Sequence, residues 1–233
     1  MQTTKKSSVA VFSIFASLCL CANVHAQDLK QLTNQDANAG LKAALEQGAN
    51  AALSKLGVQD GFLNNEKVKI PLPSILEKAK PILKLSGQSK QLDELVVSMN
   101  RAAESAVPMA KPLLLDAVKS MTVVDAKAIL TGGDTSVTQF FREKTAQPLT
   151  TKFTPLVKKV TDKVGLATKY NGVMEKAKKM GAVSEQEASV EAYVSHRAVD
   201  GLYVMIAEEE KAIRKDPIGT GSKIIGKVFG LLK

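Results

Sequence analysis

The sequence predicts an all-α fold, and three observations support this prediction. Apolar residues recur at spacings of three and four along most of the chain after Asn38, as on the buried face of a helix. Alternation of apolar and polar residues, the pattern of a strand, is confined to residues 58–73. Gly57, Gly87 and Pro217 fall where periodic segments end, as helix-terminating residues do. We therefore predict a single domain of about eight helices, arranged as a bent bundle.

Proline positions predict one boundary of each of two helices. The last long periodic segment begins at Val190, keeps its apolar spacing to Ile206 and is ended by Pro217. Pro148 is expected to open a separate helix that reaches Val164, because proline is tolerated in the first turn of a helix and not in its interior.

Residues 58–73 are predicted to form one long, ordered, extended loop. Asp60-Gly61 and Asn64-Asn65 are turn signals, and Phe62 and Leu63 are apolar residues that would pin the loop to the core. A structureless connection of this length is uncommon in a compact domain and suggests a role. Packing over the core is the simpler explanation, and both remain open.

The first 26 residues have the three parts of a secretory signal peptide. Lys5 and Lys6 give a positive start, an apolar stretch covers residues 9–22, and Val24-His25-Ala26 places small or short residues before the expected cleavage point. That stretch is shorter than the ~20 residues needed to span a bilayer. We therefore predict cleavage before Gln27 and a periplasmic protein.

Three segments follow from this division of the chain. Residues 1–26 are the signal peptide, residues 27–216 are the helical domain, and residues 217–233 are a Gly-containing linker with a basic amphipathic tail.

Cysteine and histidine usage excludes several kinds of chemistry. Cys19 and Cys21, the two cysteines, both lie in the predicted signal peptide. Leu18 and Leu20 precede them where a lipidated cysteine needs a small residue, so we do not expect a lipoprotein. The processed chain then has no thiol for disulfides, metal sites or nucleophilic catalysis. His196 is its one remaining histidine, which excludes a site built on two histidines.

The chain is basic, but its charge is carried by lysine. Lys and Arg total 32 against 23 acidic residues, a formal net charge of +9, and only four of the 32 are arginines. Recognition of bases and phosphates in nucleic acids relies heavily on arginine, so we expect no nucleic-acid partner. In the envelope such a surface would meet anionic lipid or anionic polymers.

A column of charges runs beside the apolar stripe of the last long helix. It consists of Arg197, Asp200, Glu208, Lys211 and Lys215. The spacing predicts ion pairs between Arg197 and Asp200 and between Glu208 and Lys211, and Glu210 with Arg214 forms a further pair. A salt-bridged helix flank is the simpler interpretation. The alternative is that Asp200 and Glu208 face a cleft as paired carboxylates for acid–base catalysis or cation binding.

Asn100 and Glu104 border the apolar face of the helix that follows Gln88. A buried amide satisfied by backbone groups is one interpretation of Asn100, and a polar contact in a ligand groove is the other.

The sequence contains no recognisable catalytic or cofactor motif. Gly132-Gly133-Asp134 lacks the Lys-Ser/Thr of a phosphate loop. We predict no catalytic residue, no metal site and no cofactor.

The C-terminal tail forms a short basic amphipathic helix. Its apolar side carries Ile224, Ile225, Val228, Phe229, Leu231 and Leu232, and its polar side carries Lys223, Lys227 and Lys233. Such a helix either docks on the domain as a last core helix or lies on an anionic membrane. The sequence leaves both open.

Several motifs resemble one family of exported proteins of Gram-negative bacteria. They are DGFLNN at 60–65, KIPLP at 69–73, MNRAAE at 99–104, GGD at 132–134, FFR at 140–142, DGL at 200–202 and IAEEEK at 206–211. The chain is similar to the family filed as domain of unknown function 4197 over nearly all of the predicted mature chain, residues 39–217. The resemblance implies an envelope location and brings no activity, ligand or catalytic residue.

These observations favour a non-catalytic, soluble periplasmic protein that binds an apolar or anionic ligand or a protein partner. A carboxylate-dependent, hydrolase-like enzyme and a structural partner in envelope assembly are the alternatives. The candidate ligand-binding residues are Asn100, Glu104, Arg197, Asp200, Glu208 and Lys211. The candidate membrane-surface residues are Lys223, Ile224, Ile225, Lys227, Val228 and Phe229.

Overall fold

Nine α-helices and no strand make up the part of the chain that the computed structural model describes, residues 34–179 and 183–230. This confirms the predicted all-α class. The helices are α1 (Asn34–Leu56), α2 (Ser74–Leu85), α3 (Ser89–Ala106), α4 (Lys111–Lys119), α5 (Val123–Thr131), α6 (Ser136–Thr161), α7 (Gly165–Lys179), α8 (Val190–Lys215) and α9 (Lys223–Gly230). Short 3₁₀ helices cover Val107–Ala110 and Glu185–Glu187. The predicted signal peptide lies outside the described residues.

Helix α8 is the central element and packs against α6, α1 and α3. Its N-cap is Ser189, whose side chain accepts a hydrogen bond from the Ala192 N–H at 3.1 Å. It buries residues on several sides, among them Leu202 and Tyr203, which are fully buried. Gly201 is required because a Cβ there would lie 2.8 Å from the ring of Phe62. The central position of α8 explains why its flanking charges meet partners from several other elements.

The loop predicted at residues 58–73 connects α1 to α2, but it is not extended throughout. We call it the anchored loop. Most of residues 59–68 lie in successive turns closed by backbone hydrogen bonds, such as Asn65 N–H to the Phe62 carbonyl, as the turn signals at Asp60 and Asn64 favour. Phe62 and Ile70 are buried, and Leu63 is half-buried. Because these apolar side chains enter the core between α3 and α8, the loop is part of the packed domain.

Helix α6 differs from the prediction, because it runs unbroken from Ser136 to Thr161 with Pro148 and Pro155 inside it. A proline in a helix interior costs about 3 kcal/mol. Both prolines are exposed, whereas Leu149 and Phe153 are fully buried between them. We attribute the continuity of α6 to this burial, since each such side chain stabilises the fold by about 1.5–3 kcal/mol.

The C-terminal helix α9 docks on α1, the first of the two arrangements that the sequence left open. Ile225, Val228 and Phe229 are buried, and Val228 lies directly on Gly40 of α1. Ile224 is half-buried, and Lys223 and Lys227 are exposed. The buried side chains of α9 can therefore meet a membrane only if α9 leaves α1. Residues 231–233 of the predicted tail lie outside the described residues.

Candidate functional site

Several motifs that carry the family resemblance meet where the anchored loop lies over α3 and α8. Asp60 and Phe62 come from the loop, Asn100 and Glu104 from α3, and Gly201 from α8. The contacts that join them are described below, starting from the two side chains of α3 that the sequence singled out.

Asn100 is fully buried and binds the anchored loop through its side-chain amide. Its Oδ1 accepts a hydrogen bond from the Ile70 N–H at 2.8 Å, and its Nδ2 donates to the Ile70 carbonyl at 2.9 Å. The same Nδ2 donates to the Val96 carbonyl at 2.8 Å. The amide thus satisfies both backbone groups of Ile70, which would otherwise be buried without a strand or helix to pair with.

Glu104 holds the first turn of the same loop. Its Oε1 accepts hydrogen bonds from the N–H groups of Phe62 and Leu63 at 3.0 and 3.1 Å. Its Oε2 accepts from Arg101 Nη1 at 2.7 Å, and Arg101 Nη2 donates to Asp60 Oδ1 at 2.7 Å. Asp60 has a φ of 69°, in the left-handed region, so this turn depends on the network that surrounds it.

Of the ion pairs predicted within α8, Glu210 with Arg214 forms, at 3.1 Å, whereas Asp200 and Glu208 pair with cations from other elements. Asp200 accepts a hydrogen bond from Arg142 Nη1 of α6 at 2.8 Å. Glu208 pairs with Lys67 of the anchored loop, and this hydrogen bond lowers the pKa of Glu208. The predicted pairs of Asp200 with Arg197 and of Glu208 with Lys211 were wrong because α6 and the loop flank the helix and bring in cations from other elements.

Asp200 and Glu208, considered above as paired carboxylates, do not share an ion-pair partner in the structure. Each carboxylate has a cation of its own from a different element, and their side chains are 53% and 47% exposed. Arg197 stacks its guanidinium over the Tyr193 ring at 5.3 Å, and Lys211 is exposed. The predicted site residues of α8 thus form a polar surface next to the anchored loop.

Two cavities border the described helices. One, between α1, α8 and α9, is apolar and measures ≈ 10 Å³, which is room for about one water molecule. The other, about 100 Å³, is a cleft of mixed polarity between the starts of α3 and α7, where Gln88 and Lys169 lie beside Val164 and Leu166. Within residues 34–179 and 183–230, no group of three His, Cys, Asp or Glu side chains could hold a metal ion.

Helix α2 leaves much of its apolar surface uncovered. Of its residues only Leu76 is buried, while Ile75 is 43% exposed, Ile82 is 71% exposed and Leu85 is 90% exposed. Pro73 precedes the helix, and Gly87, with a φ of +78°, follows its end. We call the solvent-facing side of α2, which carries Ile75, Lys78, Ile82 and Leu85, the exposed α2 face.

A model of the family described as "Protein of unknown function (DUF4197)" matches residues 31–230. The chain belongs to the DUF4197 family. No curated protein and no solved structure matches it. In the described residues of this DUF4197 chain, none of the helices has the length and apolar character to cross a bilayer.

Sequence reasoning missed two buried carboxylates of this DUF4197 chain. Glu210, predicted as part of a surface pair, is 4% exposed, and its carboxylate accepts the N–H groups of Val137 and Thr138 at the start of α6, both at 3.0 Å. Glu191 is 5% exposed, and both its oxygens accept from Asn171 Nδ2. Their position in the sequence could have predicted this burial, because each lies at helical spacing within the apolar stripe of α8.

All three tyrosines of the chain are buried, which predicts its behaviour in alkali. Burial raises the pKa of Tyr170 and of Tyr203 to about 12, and it raises the pKa of Tyr193. Because the folded pKa exceeds the unfolded value of about 10, this stabilising contribution is complete below pH 10 and is lost as the pH rises through 12.

In a titration followed by absorbance at 295 nm, we therefore expect no tyrosine to ionise with a midpoint near pH 10 while the helical circular dichroism is intact. Ionisation should accompany unfolding. A tyrosine that ionises normally in the folded protein would contradict the packing described for these rings.

Proposed function

We propose that this protein is an exported, non-catalytic binding protein of the cell envelope, which holds its partner against the exposed α2 face. Export is supported by the tripartite leader in residues 1–26 and by the envelope location that the family resemblance implies.

The observation that carries the proposal is the exposure of aliphatic side chains at helical spacing on α2. Ile82 and Leu85 are more than two-thirds exposed on a helix whose inward side is fixed by Leu76 and Leu83. Clustered exposed apolar side chains of this kind mark sites of interaction with a protein or a membrane. Burying them against a partner would supply the free energy of binding.

The most buried of the candidate carboxylates supports binding over catalysis, because it holds the fold together. Both oxygens of Glu104 are occupied, by the anchored loop and by Arg101, whereas Asp200 and Glu208 each pair with one cation from another element. A catalytic acid or base must instead have a lone pair or proton free to meet a substrate. If the partner is a protein, the proposed function is a role in envelope assembly.

Binding is tested by sedimentation with envelope fragments isolated from the source organism. We expect the exported protein to co-sediment and the double variant Ile82→Ser, Leu85→Ser to lose affinity by roughly 100-fold or more, since each aliphatic side chain contributes about 1.5–3 kcal/mol when buried. The matched control is Val123→Ser, Val124→Ser, which removes two exposed valines from α5, 68% and 78% exposed. Equal binding by both variants would contradict the proposal.

Export is tested separately by fractionating cells and sequencing the N-terminus of the recovered protein. We expect periplasmic protein that begins at Gln27. A stable cytosolic precursor with residues 1–26 intact would rule out the envelope location.

A further inference from the structure

The exposed α2 face points to an anionic lipid bilayer as its partner, and this inference rests on the binding function proposed above. In this arrangement α2 lies flat in the headgroup layer. Its aliphatic side chains reach the acyl-chain boundary, and its lysines reach lipid phosphates.

The charge of α2 favours an anionic surface. The helix carries three lysines and one glutamate, and Lys80 pairs with Glu77 at 2.8 Å. Lys78 and Lys84 have no acidic partner anywhere in residues 34–179 and 183–230. The exposed aliphatic side chains are therefore bordered by uncompensated positive charge, in a chain whose formal net charge is +9. Each such lysine strengthens attachment to an anionic membrane.

The position of Lys78 distinguishes a bilayer from a protein groove. At 100° per residue, Lys78 lies between Ile82 and Leu85 in direction, inside the apolar stripe and not beside it. A protein groove that covered the stripe would bury the ammonium group, which costs several kcal/mol unless the groove supplies a carboxylate. At a bilayer surface the lysine stem lies along the apolar layer while its charge extends to the phosphates.

Helix α2 is also already folded, and one of its sides packs on the domain. Leu76 and Leu83 pack on the domain, so the helix is fixed with its other side outward. An isolated peptide of 12 residues would have to pay for helix formation at the membrane, whereas α2 does not. The other basic amphipathic helix, α9, has its apolar side buried on α1 and is not available in this conformation.

The exposed valines of α5 give a matched comparison. Val123 and Val124 are as exposed as the aliphatic residues of α2, but they adjoin Asp125. That carboxylate caps α5 by accepting from the Thr122 N–H at 2.9 Å, and this hydrogen bond lowers its pKa, so it stays charged at neutral pH. The α5 valines thus adjoin a carboxylate, which lies 3.9 Å from Lys144, whereas the α2 face carries Lys78 without an acidic partner, so the valines are the poorer ligand for anionic lipid.

The experiment is flotation of the exported protein with vesicles of phosphatidylcholine alone and of phosphatidylcholine mixed equally with phosphatidylglycerol. Four proteins are compared: wild type, Ile82→Ser with Leu85→Ser, Lys78→Gln with Lys84→Gln, and the control Val123→Ser with Val124→Ser. We expect wild type and control to bind the anionic vesicles equally and at least tenfold more tightly than the neutral ones. The serine variant should lose roughly 100-fold and the glutamine variant about 30-fold in affinity.

The lipid assignment would be overturned if wild type bound neutral and anionic vesicles with equal affinity. It would also be overturned if the serine variant or the glutamine variant of α2 bound anionic vesicles as tightly as wild type does. Circular dichroism of each variant confirms that it is folded. A third outcome is that wild type does not bind anionic vesicles but does sediment with envelope fragments, and that protease treatment of the fragments abolishes this. The partner is then a protein. The lipid inference then fails while the proposed function stands. If wild type binds neither, both fail.

Discussion

Replacing Glu210 by alanine is expected to destabilise the protein by about 3–5 kcal/mol, the loss typical of breaking a buried charge pair. The carboxylate satisfies the N–H groups of Val137 and Thr138 at the start of α6, and it accepts the Thr138 hydroxyl at 2.9 Å. It also pairs with Arg214, whose side chain is only 15% exposed. Without Glu210, two helix-terminal donors and one largely buried guanidinium lose their anion at once.

The neighbouring Glu209 provides the matched control, because it is the same residue type on the same helix. The Glu209 side chain is 16% exposed, but its ion-pair partner Lys55 is 57% exposed, so Glu209→Ala should cost only about 1 kcal/mol. Urea unfolding followed by circular dichroism gives both free energies. Losses that differ by less than 1 kcal/mol between the two variants would show that Glu210 does not hold α6 to α8 as described.

Glu104→Ala is expected to release the anchored loop and to destabilise the protein by about 2–4 kcal/mol, because the N–H groups of Phe62 and Leu63 lose their acceptor together. The effect should be local as well as global. Lys67 and Lys69, both exposed on the loop, should become sites of rapid tryptic cleavage that wild type resists.

The control for this prediction is Glu94→Ala, on the same helix α3. Glu94 is 55% exposed and lies 3.8 Å from Lys90, so its loss should change stability by about 0.5 kcal/mol or less and leave the loop resistant to trypsin. A Glu104 variant that stays resistant would mean that Asn100 and the packing of Phe62 suffice to hold the loop.

Apolar spacing was enough to predict helices, and turn signals were enough to predict the loop, but neither showed where each helix ends. The stripes of α1, α8 and α9 are regular in the sequence, and all three helices form. Helix α6 was divided in the prediction because Pro148 is a local signal, whereas the burial of Leu149 and Phe153 depends on α8, which lies far along the chain. Local rules therefore fail where tertiary packing outweighs the free-energy cost of one residue.

The burial of charged groups was the least predictable feature. Glu208, Glu209 and Glu210 are consecutive and chemically identical, yet only Glu210 is buried. It lies four residues after Ile206 and three before Ile213 and so falls on the apolar stripe, but the donors that make its burial possible are more than 70 residues away. No pattern around Glu210 identifies those donors.

The same limit applies to the candidate site. The sequence placed Asn100 and Glu104 at the border of an apolar face, which is correct in position, but their partners in the anchored loop lie 30 to 42 residues away. Conversely, α2 and α9 look alike as basic amphipathic helices. Only the arrangement of the fold shows that α9 is covered by α1 and that Ile82 and Leu85 of α2 face solvent.

The most direct test of the central claim, that α2 is the binding element, is a fluorescence measurement at Ile82. Both natural cysteines lie in the predicted signal peptide, so Ile82→Cys in the exported protein can be labelled at one position with a polarity-sensitive dye. On addition of envelope fragments or anionic vesicles, we expect the emission to shift to the blue as the dye leaves water. The same dye at Val124→Cys should not shift. An unchanged spectrum at position 82, or an equal shift at 124, would contradict the claim.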